Sequence, residues 1–187
     1  MTSSADGLSS AAGSGAAGPV VRVVPADDPA GMAAVHAIRH EVFVVEQGVP
    51  AELEWDGKDG RAAHVLAEGA GTGRLLLGAD AAAKNGGDPD TAVLGRLAVL
   101  RSARGGGVGA ALVRALEDEA RRLGLRGVYL EAQVHAIAFY ERLGYIAYGP
   151  RFPDAGIPHR AMRRDFGAGR TGGPADVSGD VSADASS

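Results

Sequence analysis

Residues 93–123 limit most tightly what this chain can fold into. An apolar run, Val93-Leu94-Gly95-Arg96-Leu97-Ala98-Val99-Leu100, leads into Arg104-Gly105-Gly106-Gly107-Val108-Gly109-Ala110, and an amphipathic pattern follows. That order predicts a strand, a tight turn and a helix. Glycine admits the left-handed backbone of such a turn and lets main-chain N–H groups come close to a ligand. The helix start adds unpaired N–H donors and the positive end of a dipole. Together they make an anion site suited to phosphate, with Arg104 as a fixed charge at its rim. The nucleotide P-loop is excluded, because no Lys-Ser/Thr pair follows Gly109. A dinucleotide fingerprint fits poorly, since no repeating strand–helix units with an acidic ribose reader follow.

The chain of 187 residues is long enough for one domain with its own core. No apolar stretch is long enough to span a membrane. Residues 1–18, rich in Ala, Gly and Ser, lack the basic start and apolar block of a secretory signal. The absence of cysteine removes disulfides, thiolate metal sites and a thiol nucleophile, and a cytoplasmic protein is expected. The formal net charge of −4 argues against a nucleic-acid surface. The acidic residues lack a calcium-loop spacing and the five histidines a zinc spacing, so no metal is expected.

Residues 1–19 and 167–187 carry small and polar residues without periodicity and are expected to be disordered tails around a domain at 20–166. Within the domain, strands are expected at 20–24, 62–67, 74–81, 91–100, 127–131, 145–148 and 161–164. A helix is expected at 29–40, with Met32, Val35, Ile38 and Arg39 near helical spacing, and the apolar 41–46 continues or follows it. Residues 84–90 read as a turn, and 136–143 as a short helix closed by Gly144. The helix after the glycines carries an apolar stripe of Val108, Leu112, Leu116 and Leu123, with Arg114, Glu117, Asp118, Arg121 and Arg122 opposite. Trp55 with Glu52, Glu54, Asp56 and Asp59 forms an acidic loop, either a solvated surface or a lure for a cationic amine. Arg160, Arg163 and Arg164 read as a solvated face on the last strand.

This order of elements resembles the GNAT (N-acetyltransferase) superfamily. Arg104, Gly107 and Gly109 match its acyl-CoA motif, and residues 136–145, Ala-Ile-Ala-Phe-Tyr-Glu-Arg-Leu-Gly-Tyr, look like its helix before the last hairpin. The block at 39–50, His64, Ala132-Gln133 and Asp154-Ala155-Gly156-Ile157-Pro158-His159 are similar to the ElaA-like and YjcF-like branch. The resemblance covers residues 20–165. It implies an α/β (α+β) GNAT fold: a mixed, mostly antiparallel central sheet, splayed between its fourth and fifth strands and flanked by helices. Members of this branch often carry an Arg on the third strand, where Asp80 or a neighbouring Ala falls in this chain. Gln133 stands where the superfamily has an Asn that contacts pantetheine.

The implied reaction moves an acetyl group from acetyl-CoA to an amine by direct transfer, the missing cysteine leaving no thiol to carry it. Gly105, Gly106, Gly107, Val108, Gly109 and Ala110 would bind the pyrophosphate through their N–H groups, Arg104 assisting. The resemblance places the donor to the thioester oxygen on the backbone around Leu97, Ala98 and Val99, and places Gln133 and Phe139 against the cosubstrate. It makes Tyr140 the acid that protonates the leaving thiolate, against a plain packing role beside Phe139. The base stays open among Glu41, Glu46, Glu54, His64, Glu131 and His159. Expected partners are an acyl-CoA and an amine acceptor, with neither nucleic acid nor membrane, in a monomer or homodimer. The rivals are a non-catalytic acyl-CoA-binding module and an unrelated phosphate-binding α/β domain, whose fourth and fifth strands would pair along their whole length.

Overall fold

Among the described residues, seven strands form one sheet in the order β1-β2-β3-β4-β5-β7-β6. They are β1 (Arg22–Val24), β2 (Ala63–Ala67), β3 (Gly71–Leu76), β4 (Thr91–Val99), β5 (Gly127–Gln133), β6 (Ile146–Asp154) and β7 (Ile157–Asp165). The computed structural model describes residues 18–154 and 156–167. Most of the expected tails, at 1–17 and 168–187, lie outside the described residues.

Every neighbouring pair of strands is antiparallel except β4 and β5. That parallel pair holds only from Thr91↔Gly127 to Leu94↔Leu130. Beyond it β4 runs on to Val99 and β5 to Gln133 without touching. The splay is therefore real, and full pairing of these strands is overturned. Its cause is local. Against β3, two residues of β4, Arg96 and Leu97, stand between the pairs Arg74↔Gly95 and Thr72↔Ala98, and Arg96 takes φ +51°. A bulge of this kind bends and over-twists its strand, turning the end of β4 away from β5.

Among the described residues five α-helices flank the sheet: α1 (Pro29–Arg39), α2 (Ala51–Glu54), α3 (Gly78–Asn85), α4 (Val108–Arg122) and α5 (Ile137–Arg142). Helix α1 starts where Asp28 accepts from the Gly31 N–H, at 2.9 Å, with Pro29 in its first turn. It buries Met32, Val35, Ile38 and Arg39 and passes into a π-helical segment at His40–Glu46. On the opposite face α4 buries Leu112, Val113, Leu116 and Ala120 against Val65, Leu75, Leu94, Val128 and Met162, and Tyr140 of α5 joins that core. Helices α1 and α3 cover the other face, α3 through Ala81 on Leu76, Val93 and Tyr129.

The structure corrects several expectations. Strand β3 begins at Gly71 and ends at Leu76, and residues 78–81 open helix α3 instead of continuing a strand. Two glycines hid the strand start. A Cβ on Gly71 would sit 2.8 Å from the Ala98 carbonyl, and one on Gly73 2.8 Å from Leu116, so the strand needs glycine for close approach. The expected turn at 84–90 loses its first two residues to α3. With this register the third-strand Arg is Arg74, not Asp80, which lies in α3 and pairs with Arg61. Strands β6 and β7 are twice as long as expected, so His159 belongs to a strand rather than a loop. Leu123 falls beyond the end of α4 and is exposed, whereas Glu117 is fully buried. Glu117 accepts from Arg164 at 2.7 Å, so Arg164 is not part of a solvated face.

Candidate active site

The gap between β4 and β5 opens into a cleft of about 1320 Å³. At its α4 end the backbone alone shapes an anion cradle. Gly105 and Gly107 take φ of +82° and +79°, and a Cβ on either would meet nothing, so these glycines serve backbone conformation rather than packing. The first N–H of the α4 ladder to find a carbonyl is that of Ala111, on Gly107 at 3.0 Å. The N–H groups of residues 105–110 before it are left for a ligand. A Cβ on Gly109 would touch Phe139 at 3.4 Å, so this glycine seats the ring on the helix start. Residues of this shape and donor set fit a pyrophosphate.

Arg104 does not wait free at the rim. Both of its terminal nitrogens donate to Glu46, each at 2.7 Å, and its Nε donates to the Val99 carbonyl at 3.0 Å. The Arg104 hydrogen bonds hold the Glu46 carboxyl below the usual carboxylate range. Sequence reasoning treated the two separately, because 58 positions divide them.

Leu97 and Val99 line the cleft, while the Ala98 side chain is buried in the core beneath α1. Past Leu94 the β4 edge toward β5 has no strand partner, so main-chain donors there open into the gap. Phe139, Tyr140 and Gln133 line the cleft as well. Tyr140 is 8% exposed and packs edge-on between Phe139 and Tyr145. Burial pushes its hydroxyl above the ordinary phenol value, which keeps it protonated at neutral pH. The Gln133 amide reaches Gln47 at 3.4 Å across the mouth of the gap.

On the α1 and α3 face the cleft meets a charge network where the sequence shows an acidic loop, read as either solvated or a lure for a cationic amine. Arg39 and Glu54 are both almost fully buried and paired. Arg96 reaches the other Glu54 oxygen at 2.6 Å. Arg74 donates to Asp56 at 2.6 and 2.8 Å and to Asp59 at 2.7 Å, and Arg39 donates to Asp59 at 2.9 and 3.0 Å. Three arginines thus meet three acids. Burial pushes the Asp59 carboxyl up, but hydrogen bonds from Arg74 and Arg39 outweigh it and hold the group at about 2. Asp56 is held lower still, Arg74 again overcoming the burial that raises it. Trp55 covers the network with Arg39 5.7 Å from its ring centroid and His36 edge-on.

The base candidates separate. His64 is fully buried in β2, outside the cleft, and its Nε2 donates to the Asp59 carbonyl at 3.0 Å. Burial pushes its pKa down, so it is a neutral structural residue. Glu54 belongs to the buried network, and Glu41 lies outside the cleft beside Arg101. Glu131 faces the cleft with one oxygen on the Tyr129 hydroxyl, at 3.1 Å, and the other on Lys84, at 3.2 Å. His159 also faces it, 9% exposed, stacked on Phe152. Among the described residues no cluster of three or more metal-ligating side chains occurs, and no helix is long and apolar enough to cross a membrane.

The comparisons with known proteins agree with this geometry. Residues 16–145 match the model of the acetyltransferase (GNAT) family. The chain is 38% identical over 133 residues to "Uncharacterized N-acetyltransferase YjcF" of Bacillus subtilis, covering 68% of this chain and 88% of that protein. It is 33% identical over 134 residues to ElaA of Escherichia coli, covering 68% and 83%. Among solved structures, an acyl-CoA N-acyltransferase from Pseudomonas aeruginosa superposes with a TM-score of 0.65 at 34% identity, covering 78% of this chain and 98% of that one. The crystal structure of ElaA superposes with a TM-score of 0.66 at 28% identity, over 78% and 98%. A glycine cradle at a helix start beside a bulge-driven gap in the sheet, in a chain with these relatives, places the protein in the acetyltransferase (GNAT) family, in its ElaA-like and YjcF-like branch.

Proposed function

We propose that this protein transfers an acetyl group from acetyl-CoA directly to the nitrogen of an amine. The observation that carries the reading is the gap between β4 and β5, because it joins two faces of one sheet. On the α4 face lie the N–H cradle and Tyr140, fit for a CoA thioester. On the α3 face lie Glu131, His159 and the arginine–acid network, fit for a polar acceptor. An acyl carbon held in the gap is open to a nucleophile from one side while its sulfur leaves toward the other. Such positioning supplies much of the rate of a bimolecular reaction.

Each group then has a task. Residues 105–110 hold the pyrophosphate, with Arg104 turned from Glu46 toward the phosphate charge. Free donors on the β4 edge near Leu97 and Val99 meet the developing oxyanion, the kind of term that dominates many acyl transfers. Tyr140 gives its proton to the leaving thiolate. Gln133 and Phe139 flank the pantetheine arm.

A turnover screen tests the reading. Acetyl-CoA is mixed with pooled small amines, amino acids, polyamines and lysine peptides, and free thiol is followed. Release that depends on both protein and amine supports the proposal. Tight CoA binding without thiol release from any pool makes the protein a binding module instead.

A further inference from the structure

We propose that His159 is the general base of the transfer, its Nε2 taking the proton of the acceptor ammonium; this rests on the acyl-transfer reading above. The first reason is the ring's tautomer. Nδ1 of His159 lies 2.8 Å from the Ile157 carbonyl oxygen. A carbonyl only accepts, so Nδ1 carries the hydrogen and the neutral ring keeps its lone pair on Nε2. A ring prepared in this way is a base with a set direction. Phe152, stacked with centroids 6.2 Å apart, holds its plane.

The second reason is place. His159 pairs with Gln133 of β5 and Phe152 of β6 at the far end of the gap. Side chains alternate along β7, so His159 shares the face of Ala161, which packs with the α3 cluster, and not the face of Met162 and Tyr140. The base thus stands across the sheet from the acid.

The third reason is that the cleft carboxylates Glu46, Glu54 and Glu131 have both oxygens engaged, which leaves Asp154 as the carboxylate the test must set apart. Glu46 is held by Arg104, Glu131 by Tyr129 and Lys84, and Glu54 by Arg39 and Arg96. A carboxylate tied to cations is a poorer base. Charged or titratable groups that line the same cleft come from the elements around it. They are Glu131 of β5, with Lys84 of α3 behind it, Asp154 of β6, and His135 in the turn before α5. Asp154 and His135 line the same cleft and serve as comparisons.

The proton ledger closes. The acceptor R–NH3+ gives one proton to Nε2 of His159, forming imidazolium. The freed pair makes the C–N bond to the thioester carbon. On collapse the C–S bond breaks with its electron pair on sulfur, and the thiolate takes the Tyr140 proton. The second nitrogen proton leaves to solvent, solvent reprotonates Tyr140, and the imidazolium releases its proton with the products.

The test has two readouts. Long-range 1H–15N spectra of the histidine-labelled protein are expected to show His159 with Nδ1 protonated and Nε2 bare. The opposite tautomer overturns the proposal whatever the kinetics. In kinetics, His159→Asn keeps an amide N–H for the Ile157 carbonyl and removes the base, and His159→Gln replaces it if that variant does not fold. With acetyl-CoA and any amine that the wild type uses, kcat/KM is expected to fall about 10²- to 10⁴-fold. The variant should regain rate as pH rises toward the range where the amine is neutral without help. Hydroxylamine, already neutral at pH 7, should keep most of its rate in the variant. Equal losses for both nucleophiles, no recovery of the amine rate at high pH, or this pattern in Asp154→Asn or His135→Gln but not in the His159 variants would each overturn it. A wild type that releases thiol with neither amines nor hydroxylamine defeats the acyl-transfer reading itself.

Discussion

A residue's neighbours set what it can do here. Tyr140 shows this most sharply, because burial keeps its phenol protonated while the cleft keeps it within reach of a ligand. Tyr140→Phe removes the proton and leaves the ring between Phe139 and Tyr145. Turnover in a chemistry-limited assay is expected to fall about 100-fold or more. CoA affinity by calorimetry should hold, one neutral hydrogen bond being worth only about 1 kcal/mol. An unchanged single-turnover rate would return Tyr140 to packing. Asp59 carries a pH signature. Its folded value, about 2, is below its ordinary 3.8. The stability it contributes is therefore complete above the ordinary value and is lost as pH falls toward the folded one. Melting temperature should drop between about pH 4 and pH 2, less steeply in Asp59→Asn. Glu54→Ala removes one of the two carboxylates that buried Arg39 faces, and Asp59 remains; the variant is expected to cost up to about 3–5 kcal/mol in chemical denaturation.

At the scale of elements, the turn into α4 and the π-helical segment after α1 form one unit. The segment delivers Glu46 to Arg104, and the turn delivers the N–H groups beside it. Phosphate and carboxylate compete for the same guanidinium. Glu46→Gln is therefore expected to tighten CoA binding at low ionic strength, by a margin that shrinks as salt screens the pair. Looser binding would mean that Glu46 holds Arg104 in the right place rather than occupying it. Bulky residues at Gly107 and Gly109 should do the reverse. Gly107 has a left-handed backbone, and a side chain on Gly109 meets Phe139. A folded double variant with unchanged CoA affinity would remove the cradle from the argument.

Across the whole molecule, the described fold closes on itself at Phe166. Its N–H donates to the Arg126 carbonyl at 2.8 Å, and its ring lies 4.1 Å from the Arg121 guanidinium. The sequence puts the domain at 20–166 and the family resemblance at 20–165. A chain trimmed to residues 20–166 is expected to keep its melting temperature within a few degrees and its CoA affinity. Ending at 165 should lower the melting temperature measurably, since a cation–π contact of this kind is worth about 0.5–1 kcal/mol. A marked loss of stability in the 20–166 chain would show that a trimmed segment packs on the domain.

The sequence by itself determined the order of the strands, the glycine turn before α4 and the helix carrying Tyr140. Each is a local pattern: a period, a run of glycines, a short motif. It also determined the family and, with it, the splayed sheet. It misread β3, because Gly71 and Gly73 look like loop until the Ala98 carbonyl and Leu116 are seen pressing on them. It left the loop around Trp55 as either a solvated surface or a lure for a cation, because the arginines that neutralise Glu54, Asp56 and Asp59 come from α1, β3 and β4. It left the base open among six residues, since basicity depends on partners far along the chain. Only the tertiary structure paired Glu46 with Arg104, buried His64 and pointed the lone pair of His159 by a bond to the Ile157 carbonyl. Charge is written in the sequence, but solvation and hydrogen bonding, which decide what a charge does, follow from which elements meet in the fold.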